Sequence, residues 1–146
     1  MSVREEQLEK FRKEFNLSEE ELCAGRGNRI LLNGISLDEW HRRMWDWLAI
    51  YDVDGGTKKM FVDANFDSGC IRTVMMLSAN CFACLYDNIF NEKNRCELCP
   101  IEKFDEDGEN GCLDGLYVDY RMTPKEDKGK KYNLAKKIEN LNWKWK

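Results

Sequence analysis

The sequence predicts a small single α+β domain: helices packed around a short sheet, with a zinc-ribbon or knuckle-like cysteine segment. Three observations carry that expectation. Apolar residues recur at helical spacing in separated stretches. A turn pair, Asn33-Gly34, closes a short β-type run. Two cysteine pairs at two-residue spacing lie where periodic apolar positions are few.

The elements follow in chain order. Residues 2–15 read as a charged amphipathic helix with Leu8, Phe11 and Phe15 on one face, broken by Asn16 and Ser18. Ser18 with Glu21 forms a capping box that opens a short turn through Leu22. Gly25 and Gly27 mark a loop, and Arg29–Leu32 is a short strand. Ser36 with Glu39 is a second capping box, starting the clearest helix, Leu37 to Tyr51. Its apolar stripe holds Leu37, Trp40, Met44, Trp47, Leu48 and Tyr51; Trp45 falls off it, leaving core and surface equally open. Asp54-Gly55-Gly56 stops that helix. Residues 60–66 fit strand or helix, and Ile71–Leu77 is apolar-rich. The 81–112 stretch looks unable to bury much apolar surface and so needs another force to hold it. Pro124 to Gly129 reads as a polar linker, and Tyr132–Trp145 as a closing helix with Leu134, Ile138, Leu141 and Trp145 on one face. The expected organisation is one domain over 1–146. It has an acidic helical region at 1–28, an α+β core at 29–124 containing the cysteine knuckle at 81–112, and a basic linker and helix at 125–146. Packing of the tryptophan-rich helix against the last helix is expected to form the core.

Composition narrows the functional classes. The 146 residues are 42% hydrophobic and 34% charged, a globular balance rather than a disordered one. Residues 125–146 carry eight Lys against Glu126, Asp127 and Glu139, a net of +5. The preceding 124 residues carry 15 Lys+Arg against 24 Asp+Glu, a net of −9. An acidic body repels a phosphate backbone, so nucleic-acid binding is disfavoured although the basic end keeps it open. No apolar run reaches the ~18 residues of a membrane span, and the glutamate-rich first thirty residues lack an export core. A cytoplasmic protein is therefore expected.

The chemistry lies in the cysteines. Cys81 and Cys84 are followed after eleven residues by Cys96 and Cys99, and twelve residues later by Cys112. Two pairs at this spacing suit a tetrahedral site with sulfurs about 2.3 Å from one ion. Structural Zn2+ is the leading reading: a closed four-sulfur site holds shape and supplies roughly 10–16 kcal/mol of apparent folding free energy. An Fe–S cluster is the weaker alternative, because Cys99-Pro100 lacks the preceding string of ferredoxin spacing. Disulfides fit poorly with seven cysteines and no export signal, and a thioredoxin-like pair lacks its strand–helix context. Cys112 can replace one of the four or stay a thiol; Cys23 and Cys70 read as core or loop thiols.

Other candidates fall short. His41, the only histidine, has no evident nucleophile or orienting partner and reads as a hydrogen-bonded structural residue, with metal ligation the lesser option. The stretch from Asp105 to Gly111 fails as a calcium loop, with Asn110 at the glycine position and Leu116 at the bidentate glutamate position. No phosphate loop, nucleophile elbow or zinc-histidine helix motif is present, so no catalytic residues are named.

Several blocks in order resemble a group of small, uncharacterised bacteriophage and prophage proteins. They are His41-Arg-Arg-Met44-Trp45-Asp-Trp47-Leu-Ala, Cys81-Phe-Ala-Cys84-Leu-Tyr86, Cys96-x-x-Cys99-Pro100-Ile101, Cys112, Gly115-Leu-Tyr117 and a closing helix near Leu141-x-Trp143. The resemblance spans about positions 40–143. Trp143-Lys-Trp145 departs from the Pro-containing close of that group, and the lead before position 29 lies outside it. It implies a phage-type origin, a bacterial host cell and a five-cysteine pattern, and no activity. The expectation is a non-enzymatic protein that binds and modulates another protein, for example by inhibiting a host or defence protein. A zinc-ribbon nucleic-acid or transcription module is the second expectation. A small-ligand binder or an enzyme with an unrecognised site is the third.

Overall fold

Leu8, Phe11 and Phe15 recur at helical spacing behind a serine cap, and helix α1 forms over Val3–Phe15. The computed structural model describes residues 2–52, 57–77, 82–90, 116–143 and 145. Ser2 Oγ accepts the Glu5 N–H at 3.2 Å, and Glu5 and Glu6 sit at the positive end of the helix dipole. At the far end Asn16 adopts the left-handed conformation (φ 57°), and the Leu17 N–H returns to the Arg12 carbonyl at 2.8 Å. Leu8 and Phe11 are buried as the spacing predicts.

Ser18 and Glu21 make the reciprocal bonds of the expected capping box, at 3.1 and 3.0 Å. The chain then enters β1 (Leu22–Ala24), a strand that the loop reading of this stretch did not include. It pairs antiparallel with β2 (Ile30–Leu32), which pairs antiparallel with β3 (Ile35–Ser36), in the order β1-β2-β3. Asn33 and Gly34 both have positive φ, 52° and 81°, as the two-residue hairpin turn demands. Leu22 stands opposite Leu32, and both, with Ile30, face the core.

Helix α2 spans Leu37–Tyr51, the range the sequence predicts. Its cap differs. Ser36 makes no side-chain bond to the helix backbone; its hydroxyl donates to Asp38 Oδ1, which in turn accepts the Glu39 N–H. The buried face is also wider than the stripe: His41, Trp45 and Ala49 are buried, whereas Trp47 is half-buried and Tyr51 exposed. A helix covered on two sides buries more than one stripe. α3 (Lys58–Asn65) resolves the 60–66 ambiguity as helix, and α4 (Gly69–Leu77) buries Ile71, Val74 and Met75.

The largest departure is α5 (Phe82–Phe90), inside the stretch expected to lack a core. Phe82, Ala83, Leu85, Tyr86, Asp87, Ile89 and Phe90 are all buried. Packing among α1, α2 and α4 accounts for its burial; the sequence reading assigns this stretch to the cysteine knuckle rather than to a helix. Trp40 is the hub. Its ring lies 4.6 Å from Phe66 and 6.1 Å from Phe82, and its indole nitrogen donates to the Leu32 carbonyl at 2.7 Å.

α6 (Leu116–Met122) and α7 (Lys128–Glu139) complete the described helices. Asp127 caps α7 inside the expected linker, and the helix ends at Glu139 rather than running to Trp145. Leu134, Ala135 and Ile138 are buried, while Leu141 and Trp145 lie beyond the helix and pack on the core from an irregular segment. The α2–α7 contact is the most extensive between any two elements, as expected. Among the described residues the architecture is mostly helical with one three-stranded antiparallel sheet, an α+β arrangement. No described helix is long and apolar enough to cross a membrane.

Candidate functional site

Of the five predicted metal ligands, Cys81, Cys96, Cys99 and Cys112 lie outside the described residues, as does the 105–111 stretch weighed as a calcium loop. Cys84 is described. It is the third residue of α5, half-buried and packed against the hydrophobic core. The sequence reading placed it on a knuckle turn; the structure places it in the first turn of a core helix. That position suits a metal-bound thiolate, because the first turn carries the positive end of the helix dipole. Among the described residues no group of three or more His, Cys, Asp or Glu side chains converges as a metal site. Cys23 and Cys70, read as core or loop thiols, are half-buried free thiols on β1 and α4.

His41 occupies the α2–α7 contact. Its ring is fully buried, and Nε2 donates to the Ile138 carbonyl at 2.8 Å. Nδ1 is then an acceptor, and it has no hydrogen-bond partner among the described residues. Burial, the dominant cause, pushes its pKa down to about 4; the Ile138 bond opposes the shift. The expected hydrogen-bonded structural role holds.

Two polar features were invisible in the spacing of motifs. At the end of α2, Asp52 receives Lys131 Nζ at 3.0 Å and the Tyr120 hydroxyl, and the same ammonium sits 4.1 Å from the Tyr120 ring centroid. Lys131 is 6% exposed, unusual for a lysine and tolerable because it is paired. The second feature is a cleft of about 240 Å3 between the start of α2 and the segment following α7. Arg29, Arg42, Asn140, Trp143 and Trp145 line it, with Asp38 and Glu139. Burial pushes the Asp38 carboxyl up, but the Ser36 hydroxyl and the Arg42 guanidinium outweigh it and hold the group below the usual carboxylate value. Glu139 accepts from Lys136 at 2.5 and 3.1 Å. Asp52 lies 68 and 79 residues from Tyr120 and Lys131, and the cleft joins the start of α2 to the segment after α7, so no local pattern announces either feature.

No protein family, no curated protein and no solved structure matches this chain.

Proposed function

We propose that this chain is a small phage-type cytoplasmic protein that carries a structural zinc site and acts by binding and modulating another protein. The observation that carries the proposal is the pair of cysteine pairs, Cys81/Cys84 and Cys96/Cys99, with Cys112 able to replace one of them. The placement of Cys84 supports it: this candidate ligand sits on a helix packed into the core, a rigid support for a structural ion. Four thiolates leave no open coordination position, so the ion holds shape and does no chemistry. Zinc is preferred to an Fe–S cluster on ligand spacing.

Elemental analysis of purified protein tests the metal: one zinc per chain supports the site, and a metal-free or iron-loaded chain overturns it. Capture from a bacterial host extract tests the mode of action, with one stoichiometric protein expected and nucleic acid alone as the contrary result. A nucleic-acid module is the second reading, favoured by the exposed Lys128, Lys130 and Lys137 on α7. It predicts binding that weakens steeply with salt.

A further inference from the structure

We infer that the segment after α7, from Asn140 to Trp145, is a strap that opens as a unit while the core stays folded. Three observations meet there. The first is how the segment is held. α7 ends at Glu139, and the Asn140 and Leu141 N–H groups return to the carbonyls of Lys136 and Ile138. Beyond them, the regular backbone pairing of the described segment is one isolated bridge residue, Trp143. Side chains supply the other anchors. The Trp143 ring lies edge-on to His41 of α2 at 5.4 Å, the Trp145 ring edge-on to Tyr86 of α5 at 5.3 Å, and the two indoles are 5.2 Å apart. His41 and Tyr86 are fully buried, whereas Leu141, Trp143 and Trp145 are only half-buried. The second observation is the open cleft of about 240 Å3 beside the segment, which Leu141, Asn142 and Trp143 line together with Asp38 and Arg42 of α2. On that side the strap meets solvent rather than a packed element.

The third observation is a pair of unmade hydrogen bonds. The closed strap seals His41 Nδ1, an acceptor, and Trp143 Nε1, a donor, and neither has a partner among the described residues. A polar atom buried without a partner destabilises the state that buries it, and water removes that cost. Opening therefore regains two hydrogen bonds and gives up the contacts of a few half-buried side chains, the balance that marks a segment of low local stability. The core is built differently. Trp40 is buried among Phe66 and Phe82, and its indole nitrogen is bonded to the Leu32 carbonyl at 2.7 Å, so reaching it takes unfolding of the domain. The opened form presents a surface that the closed form hides: the His41 edge, part of the Tyr86 ring and two freed indoles. No proposed zinc ligand takes part, so the inference stands apart from the zinc site.

Hydrogen exchange of the assigned indole N–H groups, followed by NMR in the full-length protein, tests the inference. Free N-acetyltryptophanamide gives the unprotected rate. Trp143 is expected to be protected against that reference, but about tenfold less than Trp40 or weaker still. Low concentrations of urea separate the two kinds of opening. Lifting a short strap exposes little surface, so Trp143 exchange should hardly change, whereas Trp40 exchange should accelerate steeply until the two rates meet. Equal protection and equal urea dependence of the two indoles would show that the strap leaves only when the whole domain unfolds, and would overturn the inference. Exchange of Trp143 at the free rate would overturn it as well, because the strap would then never be closed.

Discussion

His41 shows how one residue couples burial to pH. Its Nε2–H is spent on Ile138, so an incoming proton must settle on Nδ1, which faces no acceptor among the described residues. Trp45 and Trp143 flank the ring, Arg42 opposes the charge, and the Ile138 carbonyl and Asp38 favour it without offsetting burial. The folded-state pKa of about 4 lies below the ordinary 6.5, so between these values the unfolded chain binds the proton more readily. The contribution is whole above pH 6.5 and is lost as the pH falls through that window, reaching about 3 kcal/mol near pH 4. His41→Gln keeps a donor for Ile138 and cannot titrate. Urea midpoints at about pH 7.5 and about pH 4.5 should therefore separate strongly in the wild type and less in the variant. Equal losses in both proteins would remove His41 as the cause. The hydrogen-bonded role of this histidine was readable from its place beside the tryptophan stripe; the identity of its partner, 97 residues away, was not.

At the scale of elements, the last turn of α2 is tied to α6 and α7 by Asp52, Tyr120 and Lys131. Removing one member of a buried pair strands the other charge, whereas replacing both with apolar groups need not. Lys131→Met alone should cost on the order of 3 kcal/mol, and the double replacement Asp52→Leu with Lys131→Met should recover part of that loss. Thermal melts of the three proteins check this; a double variant no better than the single one would show that the pair matters only through packing. The same scale explains what the periodicity reading reached. α1 and α2 carry clear apolar stripes at helical spacing, and both form where expected. α5 carries helical spacing too, but it is only nine residues long and lies at the first cysteine pair, where the sequence reading looks for a knuckle. α7 stops at Glu139 because the chain after it packs without helical geometry, although Leu141 and Trp145 continue the helical spacing.

For the whole molecule, α1, α2, α5 and α7 close on one another through apolar contacts in which Cys84 is peripheral. Full burial of side chains such as Trp45, Tyr86 and Phe82 contributes roughly 1.5–3 kcal/mol each. Arg4 adds a clasp, its guanidinium 4.1 Å from the Phe90 ring centroid and bonded to the Tyr86 hydroxyl at 2.6 Å. For the proposed zinc site, the expected result of Cys99→Ser, or of chelation, is thus metal loss with the aromatic near-ultraviolet circular dichroism retained, and faster proteolysis confined to 91–115. Collapse of the aromatic signal would mean that the metal holds the entire fold. The α+β class, the hairpin turn and the central helix were legible in the amino-acid order because each rests on neighbours within a few residues: Asn33-Gly34 tolerates positive φ, and an apolar stripe needs only its own spacing. The full burial of Trp45, the core role of α5, the Asp52–Lys131 tie and the cleft at Trp143 were settled only by the assembled chain. Each depends on what a distant element places on the far side, and local spacing carries no information about that.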